Sequence, residues 1–436
     1  MIGVQLKVSL RIIFLYGVLF FVYTQGMWER IIGDNMIPKI MLEVTIFGFV
    51  LSQITFRLKR TPGLVLFLIF ACVSFIILFF NGSTIASWIK YIRYLVYFYL
   101  LYYFLYNTYM SHDQWKSLFK FIIFLVLFQG IGSLYTLIIL GKRVEGYIGT
   151  MSSLGGTTGA VFPLFISAIC LLLYYYHYRH NHSRQTLLLL ICFFSVALVA
   201  YQSMKRAIYF SLPAFILIVS LLAFYYFPLK KVLWKRLLSV GVIIILLIPV
   251  YVFGILSSGG ISSNLSGNEN KAEIIKNAFS YAKKYSFDIS EDGLTMGQLG
   301  TSLSVLKNSF ESSDKLLFGE GYGKVKDERI LDQRGIMYGI VGFSSDLISA
   351  GWIYMVLVIL FMTRIILNGN SLQYGFIKNI RVILLLLFLY VHLTYSTDYT
   401  YHLKINAIMA VILAFVNSPL HTNALDHFMQ KYYYTE

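Results

Sequence analysis

Charged residues are scarce in this chain of 436 residues: Asp, Glu, Lys and Arg make up 13% of it, while 58% is hydrophobic and the mean hydropathy is +0.70. An ordinary soluble domain carries roughly 25% charged residues, and no soluble core can absorb this much apolar surface. A water-soluble enzyme or binding module is thereby excluded. Acid is the scarcer sign, with 20 Asp and Glu against 36 Lys and Arg and a formal net charge of +16. That excess invites a nucleic-acid reading, but in an apolar chain basic residues gather beside anionic headgroups and at cytoplasmic loop ends. By the test of one clustered basic face, nucleic acid is set aside as a partner. Cysteine is rarer still: Cys72, Cys170 and Cys192 all lie inside apolar runs. They offer neither a disulfide framework nor a CxxC metal site, and no metal or other cofactor is expected. A small-x-small cleavage site is missing after the first apolar run, where the sequence continues Thr24-Gln25-Gly26-Met27-Trp28. That run therefore reads as a retained first span and not as a signal peptide.

What the chain has in abundance is long apolar runs. Most last about 16 to 24 residues, near the length of helical spans and unlike the ten-residue alternation of barrel strands. Spans are expected at 12–25, 40–56, 64–80, 87–106, 117–140, 158–176, 186–201, 207–227, 237–256, 346–367, 382–397 and 403–417, twelve in all. The second carries Glu43, and the last is short. The fold class is thus an all-α polytopic membrane protein. Its organisation is read as helices one to nine over 1–256, a loop over 257–345, and helices ten to twelve with a tail over 346–436. Orientation follows from the cations of the short loops. One set (Lys7, Arg11, Arg57, Lys59, Arg60, Lys116, Lys120, Arg179, Arg184, Lys230, Lys231, Lys235, Arg236, Arg364, Lys378, Arg381, Lys431) holds seventeen; the other (Arg30, Lys39, Lys90, Arg93, Lys142, Arg143, Lys205, Arg206, Lys404) holds nine. The richer set is assigned to the cytoplasm with both termini, and the long loop to the outer side.

That loop is the only long polar interval, and twelve of the twenty acidic residues fall between Glu269 and Asp346. Residues 268–287 and 303–310 show helical spacing of apolar positions and are expected to form short amphipathic helices. Gly319-Glu320-Gly321-Tyr322-Gly323 cannot be a helix interior, and its glycines permit a close backbone approach. It lacks the lysine of a nucleotide-binding phosphate loop. The outer cations occur as close groups at the mouths of spans: Lys90 and Arg93, Lys142 and Arg143, Lys205 and Arg206. Held at an interface with few acids nearby they are costly, and either lipid headgroups or an anionic ligand relieves that cost. The planar guanidinium fork suits phosphate.

In this order and sidedness the motifs resemble the O-antigen polymerase and O-antigen ligase family. They are Lys142-Arg143-Val144-Glu145-Gly146-Tyr147-Ile148-Gly149, Ser203-Met204-Lys205-Arg206-Ala207, the Phe318 to Gly323 turn, and Phe343-Ser344-Ser345-Asp346-Leu347-Ile348-Ser349-Ala350-Gly351-Trp352-Ile353. The resemblance implies a metal-independent glycosyltransferase with a GT-C-like fold in a bacterial inner membrane, acting on its extracytoplasmic side. Its donor and acceptor would be oligosaccharides linked to polyprenyl pyrophosphate, with membrane lipid and a chain-length regulator as further partners. Arg143 and Arg206 match the family's pyrophosphate-binding arginines, with Lys142, Lys205, Arg93 and Arg334 as possible additions. Two departures stand out: where many relatives have a His before the tenth span this chain has Ser344-Ser345-Asp346, and an arginine is missing near Thr301-Ser302.

The chemistry can be reasoned separately. Departure of a pyrophosphate leaves negative charge that fixed cations stabilise, and the incoming sugar hydroxyl benefits from a base. Asp346 is the first candidate, Glu320 the second and His402 the third, against the plain alternatives of a helix-terminal acid for Asp346 and an interfacial histidine for His402. Tyr322, Tyr147 and Tyr399 are candidates for stacking on sugar rings, although an aromatic belt accounts for most of the 34 Tyr and 36 Phe. Polymerisation of lipid-linked repeats is the leading expectation. Ligation to a lipid or protein acceptor is the nearest rival, and a transporter or flippase the rival from another class, with Glu43 as its feature.

Overall fold

The computed structural model describes residues 2–33, 36–53, 60–140, 149–151, 158–179, 183–203, 206–226, 298–310, 313–326, 336, 340–368, 375–394 and 403–422. Among these residues regular structure is helical and includes no strand. In chain order the helices are α1 (Ile2–Ile32), α2 (Met36–Gln53), α3 (Leu64–Phe80), α4 (Ile85–Asn107), α5 (His112–Ile138), α6 (Thr158–Arg179) and α7 (Ser183–Gln202). They continue with α8 (Arg206–Tyr226), α9 (Gln298–Ser309), α10 (Ser313–Phe318), α11 (Gly342–Leu367), α12 (Gly375–Thr394) and α13 (Leu403–Asn417).

Helices α1–α8 and α11–α13 fall on the expected apolar runs, while the run at 237–256 and the amphipathic stretch at 268–287 lie outside the described residues. Among the described residues four helices are long and apolar enough to cross a membrane: Ile12–Ile32, His112–Ile138, Gly342–Leu367 and Phe376–Leu393. Five others, Leu64–Phe80, Val161–Tyr174, Leu187–Gln202, Ser211–Ala223 and Leu403–Asn417, are apolar but shorter. Outward faces carry Val65, Phe79 and Ile138, each about 70% exposed, a display that water does not tolerate but lipid does. The chain is a helical membrane protein.

Capping places helix starts where hydropathy does not. α4 begins two residues before the expected 87 because Thr84 Oγ1 accepts from Ser87 N–H at 3.2 Å. α5 begins five residues before 117, where Ser111 and Gln114 form a reciprocal capping box. α12 begins at Gly375 and not at 382, because its polar first turns are interior. Arg381, assigned from sequence to a cytoplasmic loop, is 2% exposed and donates from Nη2 to Asn417 Oδ1 at 2.9 Å. Asn417 in turn donates to Ile365 O at 2.8 Å, joining α11, α12 and α13.

The centre of the bundle is α13, buried on every side and packed on α4, α1 and α6. A helix apolar all round belongs in an interior. At roughly 22 Å long it is short for a lipid-exposed span, and protein surrounds it instead. α9 lies on α11 through Val305 and Leu306, the amphipathic behaviour expected for 303–310.

The feature that shapes the functional end is a break in α11. Gly351 takes φ 75° and ψ −174°, a region essentially reserved to glycine. The turn after α10 sits in the notch. A Cβ on Gly351 would meet Leu317 O at 2.3 Å, and one on Gly319 would meet Ala350 N at 2.5 Å, so each glycine makes room for the other's backbone. Breaking a helix frees carbonyls that lipid cannot satisfy. Here Ile348 O accepts from Glu320 N–H at 2.6 Å, and Ser349 O accepts from Asn81 Nδ2 at 3.3 Å. The close approach expected of the glycine-rich turn is an approach to this helix.

Candidate functional site

The stretch of α11 before the break carries Asp346, whose side chain is completely buried. A buried carboxylate needs partners, and neighbouring helices supply them. From α4, Tyr91 Oη donates to Asp346 Oδ1 at 2.6 Å. From α12, His392 Nε2 lies 3.8 Å from Asp346 Oδ2, within ion-pair reach but longer than a hydrogen bond. His392 is also completely buried and is stacked on Phe388, ring centroids 5.5 Å apart.

Tyr322, from the glycine-rich turn, closes the group. Its ring lies 5.2 Å from Tyr91 and 6.3 Å from Tyr354, beyond the break. Its hydroxyl donates to Ser74 O at 2.8 Å and its backbone N–H to Ser83 Oγ at 2.7 Å. Burial, reinforced by the negative charge of Asp346, pushes the Tyr322 phenol well above its ordinary value, so it stays protonated and a donor. A carboxylate, an imidazole and two phenols thus meet where three helices and one turn converge, a set able to hold and move a proton.

A second polar group lies where α1, α5, α7 and α13 meet. Gln129 on α5 donates to Tyr23 O at 3.1 Å and accepts from Thr150 N–H at 2.9 Å; Thr150 Oγ1 reaches Tyr23 O at 2.9 Å. Gly149 N–H donates to Gln202 Oε1 at 3.1 Å. The end of the segment carrying Lys142 and Arg143 is therefore tied to the residue three before Lys205. On the same side Arg30 Nη1 approaches Thr136 Oγ1 at 3.5 Å, and Tyr23 Oη donates to the carbonyl of Lys404.

The sequence-derived site residues divide accordingly. Asp346 is central. Glu320 is engaged elsewhere: its carboxylate lies 3.1 Å from Lys315 Nζ, and it is its backbone that touches α11. Tyr322 is 3% exposed, so its ring is a wall of the Asp346 group and not an open platform for a sugar. Arg93 pairs with Glu43 at 3.4 Å and donates to Tyr94 Oη at 2.7 Å, while Tyr97 also donates to Glu43. This corrects the picture of an uncompensated Arg93: its partner is Glu43, the acid of the second span. Arg206 is the first residue of α8. Lys142, Arg143, Tyr147, Lys205, Arg334, Tyr399 and His402 lie outside the described residues.

His392 is the residue that sequence reasoning missed. Its signal was present: an ionisable side chain inside an apolar run marks a functional position by default. Among the described residues no three His, Cys, Asp or Glu side chains gather as metal ligands. No protein-family model, no curated protein and no solved structure matches the chain.

Proposed function

We propose that the chain is a polymerase of polyprenyl-pyrophosphate-linked oligosaccharide repeats, a glycosyltransferase of twelve spans working on the outer face of a bacterial inner membrane. The observation that carries the reading is the fully buried Asp346, held by Tyr91 and facing His392. Glycosyl transfer needs a base for the acceptor hydroxyl, and a carboxylate beside an imidazole fixes the ring's tautomer. With the Nε2 proton turned to Asp346, Nδ1 is the basic nitrogen. The acceptor oxygen attacks the anomeric carbon, its proton passes to His392, and the bond to the diphosphate breaks with the electron pair leaving on phosphate. The resulting imidazolium is paired with Asp346. Since neither side chain is exposed in this conformation, the Tyr322 turn must shift to admit a sugar.

The test is a ladder assay with full-length protein in detergent, supplied with lipid-linked repeat alone. Asp346→Asn and His392→Gln should each slow chain growth about 10²- to 10⁴-fold, the range of general acid–base catalysis, with the fold intact. Normal ladders from both variants would remove the assignment. Growth only when a second acceptor is added would make the chain a ligase.

The broken α11 favours a second reading, proton-coupled transport, because transporter sites sit on interrupted helices and carboxylate–histidine pairs relay protons in membranes. Against it, the freed carbonyls at the break are already taken by Glu320 N–H and Asn81. Repeat-dependent proton uptake into proteoliposomes, with no ladder, would decide for it.

A further inference from the structure

We infer that the face of α2 and α4 carrying Glu43 and Arg93 binds a second copy of this chain, in a two-fold dimer that exchanges ion pairs between copies. The inference holds whichever reaction the Asp346 group performs. It starts from a placement that lipid disfavours. Glu43 lies about 10 Å along α2 from Met36, and Arg93 about 12 Å along α4 from Ile85. Each is about one turn deeper than an exposed lysine, Lys39 or Lys90, whose long stem suits the headgroup level. Ionisable side chains at such depth almost always face a bundle interior or a water-filled cavity. Here the Glu43 and Arg93 side chains keep 39% and 36% of their surface exposed. Their surroundings are apolar: Ile40, Val44 and Phe47, beside Glu43 on α2, are each more than half exposed. α2 packs on α1 and touches α4, and its outer face is open among the described residues.

The pair has capacity left for another charge. Arg93 Nη1 lies 3.4 Å from Glu43 Oε1, longer than the about 2.9 Å of a good charge-assisted bond, while Nη2 donates to Tyr94 Oη at 2.7 Å. Tyr97 donates to the other carboxylate oxygen of Glu43. A guanidinium offers five N–H donors and a carboxylate about four acceptor sites, so each group can take a further partner. An exposed acid beside an exposed base is a self-complementary patch. Turned about a two-fold axis, Glu43 of one copy meets Arg93 of the other and the reverse, the reciprocity that an isologous contact requires. Lipid tails are as apolar as Val44 and Phe47, so those side chains give fit but little drive to associate; polar contacts hold such helices together. The expected span 237–256, which lies outside the described residues, contains no Asp, Glu, Lys or Arg. It can offer apolar cover but no counter-charge, and a second copy offers both.

The experiment measures energy transfer between donor-tagged and acceptor-tagged full-length copies in phosphatidylcholine liposomes as protein is diluted with lipid. Wild-type copies should show saturable transfer above random collision. Glu43→Arg or Arg93→Glu carried by both copies should weaken association at least tenfold, because like charges then face each other. Mixing Glu43→Arg copies with Arg93→Glu copies should restore it to within about threefold of wild type, since every exchanged pair is again opposite in sign. Val44→Trp leaves both charges in place and adds bulk on the open face; it should block association, and it serves if the charge-reversed copies fold poorly. Transfer at the random-collision level in wild type would leave the face to lipid or to the 237–256 span and overturns the dimer. Unchanged association in the charge reversals or in Val44→Trp overturns this face as its site. Reversed copies that stay apart when mixed, while the Glu43→Arg, Arg93→Glu double variant associates, would show that the pair acts within one copy, and the exchanged contact is then wrong.

Discussion

A methyl group at position 351 has nowhere to go. Alanine there would hold a backbone conformation costing about 1–3 kcal/mol, and its Cβ would press on Leu317 O, adding roughly 1–3 kcal/mol of overpacking. Gly82 is the control: its φ is 62° but a Cβ meets nothing within 4 Å, so Gly82→Ala carries only the backbone term of about 1–2 kcal/mol. Thermal unfolding in detergent should show Gly351→Ala clearly less stable than Gly82→Ala; equal losses would mean that the notch is not as tight as described. At this scale the sequence was legible where chemistry is local. Asp346 could be named because an acid at the start of an apolar run suits a base as well as a helix terminus, and the glycines because a run of them excludes helix. His392 could not be joined to Asp346, since the pairing depends on how α12 rotates against α11. The burial of Tyr322 was equally invisible, because a tyrosine in a polar interval reads as exposed until its turn is seen folding back.

Elements were legible to the extent that lipid dictates them. Apolar runs gave the helices, and α3 and α13 match their expected limits to the residue. What hydropathy cannot see is how interrupted helices satisfy their backbones. In α6, Pro163 removes the N–H that would serve Gly159 O, and Ser203 Oγ lies 3.2 Å from that carbonyl. The serine of the Ser203 to Ala207 motif thus has a structural duty. In α11 the corresponding partner is Asn81, whose Nδ2 donates to Phe318 O at 3.2 Å as well as to Ser349 O. Asn81→Leu would leave both carbonyls without that donor, at a cost of about 1–3 kcal/mol. The loss should be concentrated at the break: hydrogen exchange at Glu320 and in α10 should accelerate while α1 and α2 remain protected. Uniform acceleration across the molecule would contradict a local role for Asn81.

For the whole molecule the decisive question is which way the bundle points. Both polar groups lie at one end, reached by the first turns of α4, α11 and α13 and the last turns of α1, α7 and α12. The opposite end has its own network, Arg381 with Asn417, and His421 Nε2 3.0 Å from Leu105 O beside Trp115. The loop-cation rule assigns the Asp346 end to the outside, but it used Arg381 as a loop residue, and Arg381 is interior. Removing it leaves sixteen cations against nine, so the rule still points the same way. Single cysteines in a background lacking Cys72, Cys170 and Cys192 test this. Ile85→Cys, exposed beside Asn81, should react with a membrane-impermeant maleimide in intact cells, and Asp113→Cys, exposed at the start of α5, only after permeabilisation. The reverse pattern would put Asp346 and the Gln129–Thr150 group in the cytosol. A polymerase of externally displayed repeats could not work there, and the buried carboxylate–imidazole pair would then be better explained as part of a proton pathway.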